Sequence, residues 1–154
     1  MRLIKYTTEL DTNNIPVLVK EKSFNYERQT LGTPSLIAEM FNEVFHLDKQ
    51  TEEYVYLLCM NSKCKPLGIF EISHGTVNME ILSPREIFNK ALLCGAVSIV
   101  LVHNHPSGDP TPSEEDMKAY ERVKQAGELL NVILVDFLII GDEDNVLSFY
   151  EEKI

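Results

Sequence analysis

His103, His105 and Asp116 are the residues of this chain whose types and spacing are best suited to chemistry. The apolar stretch 96–102 before them is rich in β-branched residues and predicts a buried strand. Extending that strand through His105 puts both imidazoles on one face, because side chains alternate along a strand. Three protein ligands with a fourth position left for water are typical of a catalytic zinc site rather than a structural one. The pattern therefore predicts a metal centre that can activate water.

Each part of this pattern also has a structural alternative. Ser113 begins a helical pattern, and Asp116 three residues later matches a short variant of the capping box. Each histidine, taken singly, is typical of a polar residue beside the turn-rich loop 106–110. The combination of an apolar strand, His-x-His, a turn-rich loop and an acid at a helix start favours the metal site. The two roles are compatible, since a capped helix N-terminus can aim Ser113 and Asp116 at a metal.

The motif residues resemble those of a known enzyme family. His103-x-His105, seven intervening residues and Ser113-x-x-Asp116 are similar to the motif of the JAMM (JAB/MPN) metalloproteases. The sequence VHNHPSG at 102–108 resembles the bacterial RadC branch of that family, and the resemblance covers roughly residues 33–150. It implies an α/β (α+β) fold in which helices flank a mixed sheet, the three-layer, cytidine-deaminase-like layout of the JAB/MPN domain.

The resemblance also implies a role for each motif residue. In such proteases the residues at the positions of His103, His105 and Asp116 hold zinc. The serine at the position of Ser113 stabilises the oxyanion that forms when water attacks an amide carbonyl, and an upstream glutamate is the general base. Zinc lowers the pKa of a bound water towards about 7. We therefore expect a zinc-dependent hydrolase that cleaves a peptide or isopeptide bond.

Four glutamates are candidates for the general base: Glu53, Glu71, Glu80 and Glu86. Glu86 also fits a capping box with Ser83. Alternation points Glu80 to solvent, and a half-buried or solvated strand acid is the default for Glu71. The residues alone leave the choice nearly even. The family has its functional glutamate at the head of an apolar strand, which favours Glu53, with Glu71 as the second choice.

One departure from the family pattern lies near the C-terminus. Related chains commonly have Leu-Asp-His before Ile-Ile-Gly, whereas this chain has Val135-Asp136-Phe137. The missing histidine predicts the loss of a buried hydrogen bond or of a contact behind the metal ligands. Losses of that kind reduce metal affinity or activity by about 10–100-fold.

The length of 154 residues predicts a single domain with its own core. RadC proteins often carry an N-terminal helix-hairpin-helix segment, for which we find no match here. We expect one RadC-like JAB/MPN domain over 1–154, with 1–32 as an extension packed on it. The expected strands are 15–19, 54–60, 67–74, 77–82, 96–103, 132–140 and 146–150, and the expected helices begin at 33–34, span 84–94 and span 114–130.

Composition excludes several classes of function. The chain has 24 acidic and 14 basic residues, which argues against direct nucleic-acid binding, because that binding depends on lysine and arginine. No apolar run approaches the roughly 20 residues of a membrane span. The polar N-terminus predicts no secretion signal, and three cysteines without Cys-x-x-Cys spacing favour reduced thiols. We therefore expect a cytoplasmic protein.

Other enzyme classes lack their motifs. The chain has no His-Glu-x-x-His of thermolysin-type peptidases and no phosphate-binding loop. It also has neither the His-x-Glu nor the Pro-Cys-x-x-Cys of nucleobase deaminases. Two hypotheses remain: a zinc-dependent hydrolase, and a non-catalytic RadC-family module associated with DNA repair or mobile elements.

Overall fold

The computed structural model describes residues 1–76, 79 and 82–154, and within them the chain forms seven strands and four α-helices. The strands are β1 (Arg2–Leu10), β2 (Pro16–Asn25), β3 (Glu53–Met60), β4 (Pro66–Gly75), β5 (Ser98–Asn104), β6 (Ile133–Ile140) and β7 (Val146–Ser148). The helices are α1 (Pro34–Phe45), α2 (Pro84–Leu93), α3 (Glu114–Leu130) and α4 (Phe149–Glu152). In this part of the chain, no helix combines the length and the apolar character needed to cross a membrane.

All seven strands belong to one mixed sheet, in the order β2-β1-β4-β3-β5-β6-β7. The pairs β1/β4 and β5/β6 are parallel, and the other neighbours are antiparallel. Helix α1 packs on one face, and α2, α3 and α4 pack on the other. The predicted α/β fold with helices on both sides of a mixed sheet is therefore confirmed.

Strand β5 lies inside the sheet and is buried along its whole length. Ile99 and Leu101 contribute to the core beneath α2 and α3, whereas Val100 and Val102 contribute to the core beneath α1. Burial on both faces explains why the strand is a continuous apolar run rather than an alternating one. This central, rigid strand carries the histidine motif at its end.

The N-terminal segment differs from the expectation. The predicted strand 15–19 is part of β2, which extends to Asn25 at the edge of the sheet. Strand β1 was not expected, and with β2 it makes residues 1–32 contribute strands to the sheet itself. Most side chains of β1 are half-buried or exposed, so that its hydrophobic pattern is weak. A half-covered strand near the edge gives little signal in the sequence.

Two further predictions are wrong, and one cannot be compared. The strand expected at 146–150 ends at Ser148, because the Ser148 hydroxyl accepts a hydrogen bond from the Glu151 N–H and begins α4. Helix α2 begins with Pro84 as expected, but Ser83 forms no side-chain cap, so that its capping box with Glu86 is absent. The short strand expected at 77–82 falls largely on residues 77, 78, 80 and 81, which lie outside the described residues.

Candidate metal centre

The two histidines are fixed by the strands on either side of β5. His103 pairs with Val55 of β3 and with Ile139 of β6. One residue past the end of β5, the His105 N–H donates a 2.8 Å hydrogen bond to the Ile140 carbonyl. The His-x-His segment is therefore held by the sheet rather than by a free loop.

Helix α3 brings the aspartate to these histidines. Asp116 Oδ1 lies 3.8 Å from His103 Nε2, and Asp116 Oδ2 lies 3.4 Å from His105 Nε2. One potential ligand atom from each residue lies within 4.8 Å of the other two. His103 and Asp116 are each only 1% exposed. The three predicted ligands thus converge on one point and could hold a metal ion.

Main-chain carbonyls orient both imidazole rings. His103 Nδ1 lies 2.8 Å from the Tyr54 carbonyl oxygen, and His105 Nδ1 lies 2.8 Å from the Asp109 carbonyl oxygen. A carbonyl only accepts hydrogen bonds, so each Nδ1 must carry the proton and donate it. The Nε2 atoms are then left with free lone pairs next to Asp116. Metal-binding histidines are commonly oriented in this way, through the nitrogen that does not bind the metal.

Asp116 is held by a capping box, as the sequence predicted. Its Oδ2 accepts hydrogen bonds from the Ser113 N–H and hydroxyl, both at 2.7 Å, while the Ser113 oxygen accepts from the Asp116 N–H at 3.1 Å. Asp116 Oδ1 is buried and has no hydrogen-bond partner among the described residues. Leaving a buried carboxylate oxygen unpaired is unfavourable, and a cation beside it would remove that cost. Two imidazole nitrogens and one carboxylate oxygen are ligands that Zn²⁺ takes.

The local environment shifts the protonation of all three residues. Burial lowers the pKa of His103, against the opposing effect of the Tyr54 carbonyl. The Asp116 carboxylate, whose Oδ2 lies 3.4 Å from His105 Nε2, raises the pKa of His105. Burial alone would raise the pKa of Asp116, but the nearby His105 ring and the hydrogen bonds from Ser113 outweigh it and leave that pKa below its usual value. Asp116 is therefore ionised at neutral pH, as a metal ligand must be.

A cleft of about 880 Å³ opens over these residues and is also lined by Glu53 and Ser113. Glu53 is the half-buried first residue of β3. Extending the register from Val55 opposite His103 by two residues puts Glu53 opposite His105. Because alternate residues share a face, Glu53 and Val55 lie on the same face of the sheet as His103. The predicted base thus lies beside the predicted ligands.

The other glutamates lie elsewhere. Glu71 pairs with Tyr56, which packs in the core beneath α1. This is the face of the sheet that does not carry the His103 side chain. The Glu71 carboxylate accepts a 2.9 Å hydrogen bond from Lys5 Nζ and lies 2.7 Å from His74 Nδ1. Glu86 is exposed on α2, and the described lining of the cleft includes neither Glu71 nor Glu86. Glu80 lies outside the described residues.

We expect the substitution Glu71→Gln to destabilise the fold in a pH-dependent way. Burial raises the pKa of Glu71, but the contacts with Lys5 and His74 outweigh it and leave the pKa lowered. A carboxylate of this kind stabilises the fold above its unfolded pKa of about 4.3 and loses that effect as pH falls through its lower folded pKa. The variant should lose about 1 kcal/mol of unfolding free energy at pH 7, as measured by urea denaturation.

The same comparison at low pH tests the cause. The difference between wild type and Glu71→Gln should shrink as pH falls below 4, because the wild-type carboxylate becomes neutral. Glu9→Gln, at an exposed position of β1, is the matched control and should differ little from wild type at either pH. An unchanged difference between pH 7 and pH 3 would contradict the assignment of an ionic contact.

The loop that carries His105 packs closely against the end of β6 at Gly141. A Cβ atom at Gly141 would clash with the Gly108 carbonyl oxygen and would lie 2.7 Å from its carbonyl carbon. These are main-chain atoms, so the loop itself would have to move. Gly108 has a φ of 83°, a conformation that favours glycine. Both glycines therefore help to fix the position of His105.

We expect Gly141→Ala to weaken the binding of an added divalent metal ion by at least about tenfold, because displacing this loop moves His105 away from Asp116. Gly32→Ala is the matched control, since a Cβ there would meet nothing within 4 Å. Zinc titration with a chelating indicator measures both variants. Equal affinities for the two variants would show that the loop position does not control the site.

Phe137, the departure from the family pattern, lies in the apolar core. The centroid of its ring lies 5.0 Å from that of the Phe149 ring, and the Phe149 and Tyr120 ring centroids lie 4.8 Å apart. Phe137 pairs with Leu101, two positions before His103 on β5. The contacts that orient His103 and His105 come from main-chain carbonyls. The weakening of the site that the sequence suggested therefore stays a prediction.

Sequence reasoning did not single out Asn104. This residue is 1% exposed, and its side chain binds the main chain of β3 around Glu53. The available signal was an amide side chain inside a buried strand, where apolar residues are the rule. The orienting carbonyls of Tyr54 and Asp109 could not have been found in this way, because every residue has a carbonyl.

The comparisons with known proteins all indicate one family. The family model of the RadC-like JAB domain matches residues 31–154. The chain is 42% identical over 119 residues to a UPF0758 protein of Geotalea uraniireducens, covering 77% of this chain and 51% of the relative. It is 39% identical over 123 residues to a UPF0758 protein of Thermotoga maritima, covering 75% and 55%.

A UPF0758 protein of Clostridium novyi is 44% identical over 103 residues, covering 67% of this chain and 45% of the relative. The chain therefore spans about half the length of the curated relatives it matches. The names of these relatives describe no activity.

Proposed function

The chain belongs to the family of RadC-like JAB domains, and we propose that its cleft is the active site of a zinc-dependent hydrolase of the JAMM type. The proposed reaction is hydrolysis of a peptide or isopeptide bond. The observation that carries this proposal is the convergence of two free Nε2 atoms and a buried, unpartnered carboxylate oxygen at the floor of an open cleft.

In this proposal the cation is held by His103 Nε2, His105 Nε2 and Asp116. When bound, zinc would polarise the amide carbonyl and lower the pKa of a water towards about 7. The protein fixes its three ligands before binding, since carbonyls hold both imidazoles and the capping box holds the carboxylate. Such pre-organisation favours binding because little side-chain freedom is lost.

Glu53 is the proposed general base. This residue lines the cleft, and its place in β3 puts it on the face of the sheet that carries His103. In this role a carboxylate oxygen takes the proton from the attacking water and later returns it to the nitrogen of the leaving amine. Proton transfer of this kind contributes about 10²–10⁴-fold to a reaction rate.

Ser113 is the proposed donor to the oxyanion. Its hydroxyl oxygen is fixed by the Asp116 N–H, whereas its proton is donated to Asp116 Oδ2. Rotation about the Cβ–Oγ bond would turn that proton towards the cleft without moving the oxygen. Asp116 Oδ2 would still accept the Ser113 N–H. A donor of this type stabilises the transition state by about 2.7–4 kcal/mol.

The proposal is tested by loading the full chain with zinc and measuring hydrolysis of a library of peptides and isopeptides. We expect one zinc per chain and hydrolysis that is lost in His103→Ala but retained in Cys94→Ala. Zinc-loaded, folded protein that cleaves no member of the library would count against the hydrolase. That result would favour a non-catalytic module.

A further inference from the structure

Asn104 lies between the two histidines in sequence, but its side chain lies on the other side of the strand. Alternation along β5 puts His103 on the face that carries the proposed site and Asn104 on the opposite face. Both polar atoms of the Asn104 side chain are nevertheless hydrogen-bonded. Its Oδ1 accepts a 2.6 Å hydrogen bond from the Tyr54 N–H, and its Nδ2 donates a 3.0 Å hydrogen bond to the Glu52 carbonyl.

These two bonded groups lie on either side of Glu53 in the chain. The main-chain pairing between β3 and β5 runs from Met60 opposite Ser98 to Val55 opposite His103. Beyond Val55, towards Glu53, the two strands are joined by hydrogen bonds from side chains of β5 to the main chain. Asn104 binds Tyr54 N–H and Glu52 C=O, and His103 Nδ1 donates to the Tyr54 carbonyl.

We propose that Asn104 is a positioning residue, which holds Glu53 over the metal site by fixing the main chain on both of its sides. The inference rests on the proposed function, because it assigns Asn104 a role through the proposed base. It does not require Asn104 to touch substrate or metal.

The amide side chain of asparagine suits this task better than the carboxylate of aspartate. Asparagine offers one acceptor and one donor group at the same distance from the backbone, whereas an ionised aspartate offers acceptors only. Asn104→Asp would therefore keep the bond from the Tyr54 N–H and place an oxygen against the Glu52 carbonyl. Asn104→Ala would remove both bonds. The two variants thus separate the two halves of the contact.

Amide hydrogen exchange tests the contact without any assay of activity. In Asn104→Ala the Tyr54 amide should exchange at least about tenfold faster than in wild type, because its acceptor is gone. The Leu57 amide, in the paired part of β3, should keep its rate. In Asn104→Asp the Tyr54 amide should stay protected, which provides a second reading if Asn104→Ala folds poorly. An unchanged Tyr54 rate in folded Asn104→Ala would overturn the inference.

A double-mutant cycle tests whether Asn104 acts through Glu53. Asn104→Ala should lower kcat by about 10²-fold, with KM and zinc stoichiometry unchanged, because a small misplacement of a catalytic group has effects of that size. In the Glu53→Gln background the same substitution should cause no further loss of kcat. Asn89→Ala, at an exposed position of α2, is the matched control and should leave kcat unchanged.

The outcomes of the cycle are distinct. Equal losses in both backgrounds, or loss of zinc from Asn104→Ala, would overturn the positioning role and leave the proposed function intact. If zinc-loaded wild type hydrolyses nothing while the Tyr54 amide of Asn104→Ala exchanges faster, the proposed function fails and only the contact with β3 is supported.

Discussion

Replacing Asp116 by asparagine is expected to abolish stoichiometric zinc binding and, with it, hydrolysis. The substitution removes the negative charge that faces His103 and His105 at 3.8 and 3.4 Å. Loss of a contact behind a ligand already lowers metal affinity by about 10–100-fold, so loss of the charged ligand should exceed about 100-fold. Isothermal titration calorimetry of the metal-free protein measures the change directly.

Thermal or urea unfolding gives a second measurement of the same prediction. Zinc at about 100 times its Kd should stabilise the wild type by about 2.7 kcal/mol, because it binds the folded state alone. Asp116→Asn should show no such gain, although asparagine can still accept the Ser113 N–H and preserve the start of α3. Asp144→Asn, at an exposed position, is the matched control. A gain for Asp116→Asn equal to that of wild type would remove Asp116 from the ligand set.

Glu53→Gln is expected to lower kcat by about 10²–10⁴-fold while zinc still binds stoichiometrically. Glutamine has almost the shape of glutamate but cannot take a proton from water at neutral pH. Glu53 lines the cleft without belonging to the converging ligand group, so the metal site should be unaffected. Steady-state hydrolysis of the best library substrate, with zinc content measured in the same sample, checks both parts.

Two matched substitutions complete this test. Glu71→Gln and Glu86→Gln should keep near wild-type turnover, because the structure places Glu71 on the opposite face of the sheet and Glu86 in solvent. If Glu53→Gln kept full turnover while Glu71→Gln abolished it, the base would be assigned to the wrong residue.

The elements that carry the site could be predicted from the sequence because their signals are strong. Strand β5 is a continuous apolar run, and α3 begins with a serine and an acid in capping-box spacing. Once these two elements were identified, His103, His105 and Asp116 had to lie near each other, since only a short loop connects them. Strand β1 gave no comparable signal, because its side chains are only partly covered.

The surroundings of the ligands could not be predicted in the same way. The faces of Glu53 and Glu71 depend on register, and the β3/β4 pairing shifts between Val55 and Tyr56. A single irregularity of this type moves side chains to the other face, so alternation within one strand could not separate the two candidates. The contacts of Tyr54 and Asn104 likewise depend on the pairing of β3 with β5, which local sequence does not encode.

The most direct test of the account is a crystal structure of the zinc-loaded chain, with anomalous diffraction measured at the zinc edge. We expect one strong anomalous peak at about 2.0–2.2 Å from His103 Nε2, His105 Nε2 and a carboxylate oxygen of Asp116. The central claim would be contradicted if the folded, zinc-saturated protein showed no anomalous peak, or showed its peak away from these three residues.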